Sequence, residues 1–336
     1  MVVTVLYPSI VTTSVGGLKG LILENEKIRA VVMPEFGARI ISLIYKPTET
    51  EFAWHNPTIP VKKPSYQIEF EDVSGFFDCL PTTEPCTFKG KKLPAAGEVS
   101  SEPWKLLRLE RGRKSITVGM QCACKVYPLL INKQLSISRG KAILNLTYRL
   151  RNLCDQKLEY HYSGHNTLCI NPSYRIILPH EVSKLRLGYA VTDRLGKMGD
   201  EIQWPEALDK EGKTVDLSKV GKPCEGTGEN LYTAKLRESW CAAMNQARKE
   251  VIGLSSQAEV LPYLLVWINY GGWREYYHIA LEPCTGRPDN LEVAVNQWKN
   301  YATLGPREAV SWSETIVLGH NVKRVERVTA DEGIVQ

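Results

Sequence analysis

Apolar and polar residues alternate one for one along much of this 336-residue chain, and this period of two constrains the fold more than any other feature. In residues 144–151, leucines and a tyrosine alternate with asparagine, threonine and arginine, and residues 310–318 repeat the pattern. Successive side chains of a β-strand point to opposite faces of its sheet. Both segments therefore predict antiparallel strands with one face on a core and the other in solvent.

Further strand-like runs are short and are separated by Gly, Pro, Asn and Asp. They lie at residues 20–23, 28–33, 40–45, 104–109, 115–122, 129–137, 158–170, 174–178 and 261–268. Many short strands at regular spacing predict an all-β sandwich. No repeat or linker divides the chain, so we predict a single domain over residues 1–336.

Two segments depart from the strand pattern. Residues 237–248 are the best candidate for a short helix, although they also fit a strand. The polar segment 192–233 is rich in Lys, Asp, Glu and Gly, and we expect it to leave the sandwich as a long excursion. Long excursions of this kind often border a binding site.

Composition argues against several classes of function. The net charge of +5 is spread along the chain, without the basic stripe and interleaved aromatics of a nucleic-acid-binding protein. No window approaches the ~18 apolar residues of a membrane span, and the N-terminus lacks the pattern of a signal peptide. We therefore expect a cytoplasmic protein, as a monomer or a homodimer.

The nine cysteines do not form a recognisable metal site. Cys122 and Cys124 alternate within a strand-like run, but no second Cys or His pair follows at ligand spacing. We expect reduced thiols and no bound metal.

The first candidate site residue is Glu282, in the stretch 278–289. An aromatic and branched run precedes it, and Pro283 with a Thr, Gly, Pro and Asp turn follows. Because proline cannot donate to a sheet ladder, we expect the strand to end at Glu282. A carboxylate at a strand end beside a loop is suited to lining a pocket, although it could also cap the turn or pair with Arg287.

A second candidate is the stretch 159–165. Alternation places His161, Ser163 and His165 on one face of a strand. Gly164 predicts a bulge or a close approach of a ligand to the backbone. The histidines fit either a ligand site or satisfied core positions.

The third candidate is a Gly-, Pro- and Thr-rich loop at residues 75–83 with its continuation at 93–104. It carries Asp78, Glu98 and Trp104. Aromatic faces beside carboxylates suit sugars, whose C–H faces stack while their hydroxyls need acceptors. An ordinary surface loop is the alternative.

Together these stretches resemble the aldose 1-epimerase (galactose mutarotase-like) superfamily. The resemblance rests on residues 34–43, the loop 75–83 with the turn at 97–98, Gly164-His165, Leu281-Glu282-Pro283 followed by Pro288-Asp289, and the last strand at 305–315. It implies one antiparallel super-sandwich that binds a monosaccharide. It also implies a cofactor-independent isomerase that interconverts α and β anomers, with Glu282 as base and His165 as acid.

The chain departs from the family pattern in the rim loop. Ala96 stands where typical members carry a histidine, and His161 is a candidate to replace part of its hydrogen bonding. Arg39 and Arg287 are the candidates for the arginine of the sugar site. The substrate class is therefore open, with an anionic sugar as the minority hypothesis.

Two other functions remain open at this stage. One is a carbohydrate-binding protein without turnover, since a fold does not determine a function. The other is a lyase or glycosidase, in which Glu282 and either Asp78 or Glu98 would form a carboxylate pair about 5–10 Å apart. A gap the size of a sugar ring between Glu282 and an imidazole would favour anomer exchange. For that reaction we expect an ionised Glu282 beside a protonated His165, each stabilising the other's charge.

Overall fold

The computed structural model describes residues 7–62 and 71–336, and this part of the chain is almost entirely β-structure. The first strands are β1 Ser9–Val15, β2 Leu18–Glu24, β3 Ile28–Met33, β4 Arg39–Tyr45, β5 Thr50–Glu51, β6 Phe76–Cys79, β7 Cys86–Phe88, β8 Lys91–Leu93, β9 Lys105–Arg111, β10 Ser115–Ala123, β11 Leu129–Ser138, β12 Ile143–Asn152, β13 Leu158–Tyr160 and β14 Ser163–Leu168. The remainder are β15 Tyr174–Ile177, β16 Lys184–Ala190, β17 Glu201–Gln203, β18 Glu206–Leu208, β19 Thr214–Asp216, β20 Thr227–Thr233, β21 Ser239–Asn245, β22 Glu250–Ser256, β23 Tyr263–Tyr270, β24 Tyr277–Cys284, β25 Ala302–Leu304, β26 Ala309–Gly319, β27 Arg327–Thr329 and β28 Gly333–Val335. A short helix, α1 Leu291–Val293, continues into a π-helical turn at Ala294–Trp298.

Two large antiparallel sheets dominate the described residues. The larger has the order β1-β2-β3-β4-β6-β14-β24-β23-β20-β16-β17, with β5 beside β4, and the smaller has the order β15-β21-β22-β26-β12-β11-β10-β9. The predicted all-β antiparallel sandwich is confirmed. No helix in the described part of the chain is long and apolar enough to cross a membrane.

The alternation of the sequence builds the core between the sheets. Every second residue of β11 is buried, and Leu135 lies opposite Leu146 of β12 in register. Such a leucine contributes about 1.5–3 kcal/mol when it is fully removed from water. The inner face of the larger sheet joins this core through Leu281 of β24 and Leu264 of β23.

Four predictions of local structure need correction. Residues 239–245 form β21, a buried strand between β15 and β22, so the helix proposed for 237–248 is wrong. Residues 227–233, assigned to the polar excursion, form β20 between β16 and β23. The run 158–170 is divided into β13 and β14, and β24 continues past Glu282 through Pro283 to Cys284.

The order of the larger sheet brings the three candidate stretches together. Strand β14 lies between β6 and β24, so that Ser163 is opposite both Cys79 and Cys284. Their inner faces meet the second sheet. Their outer faces therefore carry the candidate functional side chains.

Candidate active site

Glu282 and His165 lie on neighbouring strands and are almost completely buried. Ser163 Oγ donates a 2.8 Å hydrogen bond to Glu282 Oε2. The other carboxylate oxygen, Oε1, is 3.5 Å from His165 Nε2. The serine therefore fixes the carboxylate and turns its second oxygen toward the imidazole.

Aromatic rings hold the imidazole of His165. The ring stacks on Phe77 at 4.4 Å between centroids and meets Trp267 edge-on at 5.5 Å. His165 Nδ1 is 3.0 Å from Thr167 Oγ1. These contacts orient Nε2 toward Glu282.

Arg39 reaches this region through Phe77. Its guanidinium carbon lies 4.1 Å from the centre of the Phe77 ring, and Nη1 donates to the carbonyl oxygen of Ser74 at 2.8 Å. The carboxylate of Asp72 is 3.6 Å away. Arg39 thus supports the ring on which His165 stacks. Its Nη1 faces backbone carbonyls and Asp72, and its Nε has no hydrogen-bond partner among the described residues.

Burial decides the protonation of the Glu–His pair. It lowers the pKa of His165 well below the ordinary value, with smaller contributions from His278 and Arg39. It raises the pKa of Glu282 well above the ordinary value, reinforced by the charge of Asp289. The expected ion pair is therefore wrong, because loss of hydration outweighs the attraction. Both shifts favour the uncharged forms, a carboxylic acid beside a neutral imidazole.

Asp289 and His161 form a second buried pair beside the first. His161 Nε2 is 3.6 Å from Asp289 Oδ1. Within the described residues, neither ring nitrogen of His161 has a hydrogen-bond partner, and Asp289 Oδ1 accepts no hydrogen bond. Sequence reasoning assigned Asp289 no role. The signal available was the turn 285–288, which brings the chain back toward the end of β24.

The loop that carries Ala96 packs against strand β6. Ala96 is buried against Phe77 and Cys79, and its backbone N–H donates to the carbonyl oxygen of Thr83. Its φ of 57° lies in the left-handed region. A methyl group therefore occupies the place where the family resemblance expects a histidine.

Asp78 belongs to the core rather than to the site. It lies between Phe77 and Cys79 on β6, so alternation turns it to the inner face of the sheet. There Lys133 Nζ lies 2.8 Å from Oδ2, and the Tyr162 hydroxyl is 2.8 Å from Oδ1. The prediction that Asp78 binds substrate is wrong for this geometric reason.

Glu98 and Trp104 also have structural partners. Glu98 accepts backbone N–H bonds from Lys125, Val126 and Tyr127, and so fixes the turn before β11. Trp104 is buried in the main core, with its indole N–H donating to the carbonyl oxygen of Val99 at 2.9 Å.

Arg287 is held by segments other than the strands that carry Glu282 and His165. Its Nη1 donates to the carbonyl oxygen of Thr233 at 2.7 Å, and its Nε donates to Asn300 Oδ1 at 2.9 Å. It therefore ties the turn after β24 to neighbouring segments. In the described part of the chain, no three His, Cys, Asp or Glu side chains are arranged to hold a metal ion.

Comparison with known proteins gives matches at the level of structure. No protein-family model and no curated protein sequence matches the chain. A putative aldose 1-epimerase from Klebsiella pneumoniae has a TM-score of 0.71 at 15% identity, over 90% of this chain and 79% of that one. A galactose mutarotase-like protein from Clostridium acetobutylicum has a TM-score of 0.65 at 13% identity, over 94% and 99%. Another from Lactobacillus casei has a TM-score of 0.63 at 15% identity, over 93% and 100%. The chain therefore has the galactose mutarotase-like fold.

Proposed function

We propose that this protein is an aldose 1-epimerase, which interconverts the α and β anomers of a free monosaccharide. The observation that carries the proposal is the buried pair of Glu282 Oε1 and His165 Nε2, 3.5 Å apart on neighbouring strands. The likeness to proteins named as aldose 1-epimerases or mutarotase-like supports it through the fold.

The close spacing suits the two oxygens that exchange protons. Ring opening breaks the bond between C1 and the ring oxygen, which gains a proton, while the hydroxyl on C1 loses one and becomes the aldehyde oxygen. Both oxygens are bonded to C1, so one compact acid–base pair can serve them. The gap as wide as a sugar ring that would have favoured anomer exchange is not observed between Glu282 and His165.

The shifted pKa values favour one direction for each transfer. Protonated Glu282 donates to the ring oxygen, and neutral His165 accepts the proton of the C1 hydroxyl. Rotation about the C1–C2 bond then exposes the other face of the aldehyde, and closure reverses both transfers. These roles are the reverse of those implied by the family resemblance, because burial raises the pKa of Glu282 and so favours its protonated form.

The glycosidase alternative loses the carboxylate pairs from which it was argued. Asp78 is paired with Lys133 on the inner face of the sheet, and Glu98 is occupied by three backbone N–H groups. A sugar-binding protein without turnover has the same fold and is separated from an epimerase only by measuring exchange.

The test is two-dimensional exchange NMR over a panel of free aldoses, which follows anomer interconversion directly. We expect Glu282→Gln to slow the enzymatic rate by about 10²–10⁴-fold, because an amide neither donates nor accepts this proton. Glu206→Gln, an exposed residue of β18, is the matched control and should exchange at the wild-type rate. A Glu282→Gln enzyme with more than a tenth of wild-type activity would refute the proposal. Sugar binding without exchange by the wild type would instead identify a binding protein.

A further inference from the structure

The backbone of Asp289 is fixed on both sides. Its N–H donates to the Tyr232 hydroxyl at 3.0 Å. Its carbonyl oxygen accepts the N–H groups of Thr83 at 3.0 Å and Glu84 at 3.2 Å. The loop after β6 and the turn after β24 are therefore joined at this residue. Its side chain has little freedom to move away from Glu282.

One carboxylate oxygen of Asp289 is satisfied and the other is not. Oδ2 accepts a 3.1 Å hydrogen bond from Asn230 Nδ2. Oδ1 has no donor among the described residues and lies 3.6 Å from His161 Nε2, which also lacks a hydrogen bond there. His161 is completely buried, and its backbone N–H is bound to the carbonyl oxygen of Pro81. Both groups are held in place with unused hydrogen-bonding capacity.

Such a pair is costly unless a ligand completes it. A buried polar group without a partner loses its hydration without compensation, and native proteins rarely leave one so. A hydroxyl group is both a donor and an acceptor. It can give its hydrogen to Asp289 Oδ1 and accept one from the imidazole of His161. A carboxylate or phosphate on the ligand cannot donate to Asp289.

We infer that His161 and Asp289 form a hydroxyl-binding subsite beside Glu282, and that Asp289 makes the enzyme specific for neutral aldoses. The assignment of Glu282 as the reacting group rests on the proposed function. The subsite itself rests on the two unsatisfied groups and their fixed backbones.

The charges around the subsite support a neutral substrate. Glu282, Asp289 and Glu84 bring three carboxyl groups together, and burial with the charge of Asp289 raises the pKa of Glu84 to about 7. Arg39, the nearest cation described above, is directed to the Ser74 carbonyl and Asp72. An anionic sugar would meet the charge of Asp289 here, while Glu282 and Glu84 hold their protons more tightly than usual.

Asp289 also acts on Glu282 through its charge. Among the described residues, His165, Cys79 and Cys284 also lie near Glu282, and burial raises the pKa of both thiols well above the ordinary value. The thiols and the imidazole are therefore uncharged at neutral pH. Removing the charge of Asp289 should lower the pKa of Glu282, so that Glu282 loses its proton at a lower pH.

The experiment combines Asp289→Asn with single-hydroxyl deletions in the ligand. Calorimetry measures binding of D-glucose, D-galactose and their monodeoxy analogues, with glucose 6-phosphate and glucuronate as anionic probes. We expect the wild type to lose about tenfold or more in affinity for one deoxy analogue of the sugar that it binds, and to bind the anionic sugars more weakly. Asp289→Asn should bind that sugar and that analogue equally. Asp193→Asn, at an exposed loop position, should behave as wild type.

Two further readouts separate this subsite from a structural role and from the epimerase proposal. With an exchanging sugar, Asp289→Asn should raise KM about tenfold and move the alkaline limb of the rate profile to lower pH. His161→Gln should remove the same hydroxyl discrimination without moving that limb. Binding is measured without turnover, so the subsite is tested even if no sugar is exchanged. The inference is overturned if both variants keep wild-type discrimination, if anionic sugars bind more tightly, or if the wild type binds none of the neutral sugars.

Discussion

Replacing Glu314 by glutamine should make the free energy of unfolding less dependent on pH. Glu314 of β26 is completely enclosed between the sheets, where the Tyr162 hydroxyl lies 2.9 Å from its Oε1. The same hydroxyl is 2.8 Å from Asp78, which is paired with Lys133. Tyr162 has one hydrogen for two carboxyl groups, and Lys133 supplies one positive charge. A proton on Glu314 balances both the charge and the hydrogen bonds.

The size of the effect follows from the protonation of this group. Burial, reinforced by the charge of Asp78, raises the pKa of Glu314 from 4.5 to about 7. The native state therefore holds this proton more tightly than the unfolded chain, and stability falls as pH rises from about 4.5 to about 7. The total fall is about 3 kcal/mol, since one pKa unit corresponds to about 1.4 kcal/mol. Glutamine keeps the shape of the neutral acid and does not titrate.

Equilibrium urea unfolding at pH 5 and pH 8, followed by circular dichroism, measures the difference. The free energy of unfolding of Glu314→Gln, relative to wild type, should increase by about 2–3 kcal/mol between these two pH values. Glu206→Gln should show no such change. A constant difference between Glu314→Gln and wild type across this range would mean that Glu314 is ionised in the native protein, and would refute the reasoning.

Three further predictions concern the site. His165→Asn should lower kcat by about 10²-fold or more, whereas His161→Asn should chiefly raise KM; equal losses of kcat would show that the acid–base partner is misassigned. The imidazole ¹⁵N shifts of His165 should be those of a neutral ring at pH 7, because burial lowers its pKa. Shifts typical of an imidazolium would instead show that His165 and Glu282 form an ion pair. Gly97→Ala should lower Tm and cost about 1–3 kcal/mol, because Gly97 has a φ of 67° and a Cβ would lie 2.2 Å from the carbonyl oxygen of Leu80; an unchanged Tm would contradict the rigidity of this loop.

The sheet architecture could be predicted because the alternation of apolar and polar residues is a local signal in the sequence. Strand β3 has the predicted bounds, Ile28–Met33, and β11 and β12 follow the alternation of their sequence closely. Strand β20 was missed because its Gly, Glu and Asn resemble a turn. Within the sheet the charge of Glu229 is met by Arg194, a partner 35 residues away in the chain. Pairing at that distance leaves no periodic signal.

The site was predictable in part for the same reason. Glu282 and His165 are prominent at strand positions, but which face of β6 meets them depends on its pairing with β14. Without that register, Asp78 could not be distinguished from Phe77 as the residue facing the site. Asp289 was unassigned because its role depends on contacts with His161 and Asn230, which come from other parts of the chain.

Strand β14 lies between the proposed acid–base pair and the buried carboxyl groups of Asp78 and Glu314. Ser163 and His165 face Glu282, while Gly164 between them faces Glu314. A Cβ on Gly164 would lie 3.0 Å from Glu314 Oε2. The glycine expected to admit a ligand or a bulge therefore makes room for a carboxyl group of the opposite sheet. Strand β14 holds His165 firmly because both faces of the strand are packed. That same packing accounts for the burial that raises the pKa of Glu282 and lowers the pKa of His165.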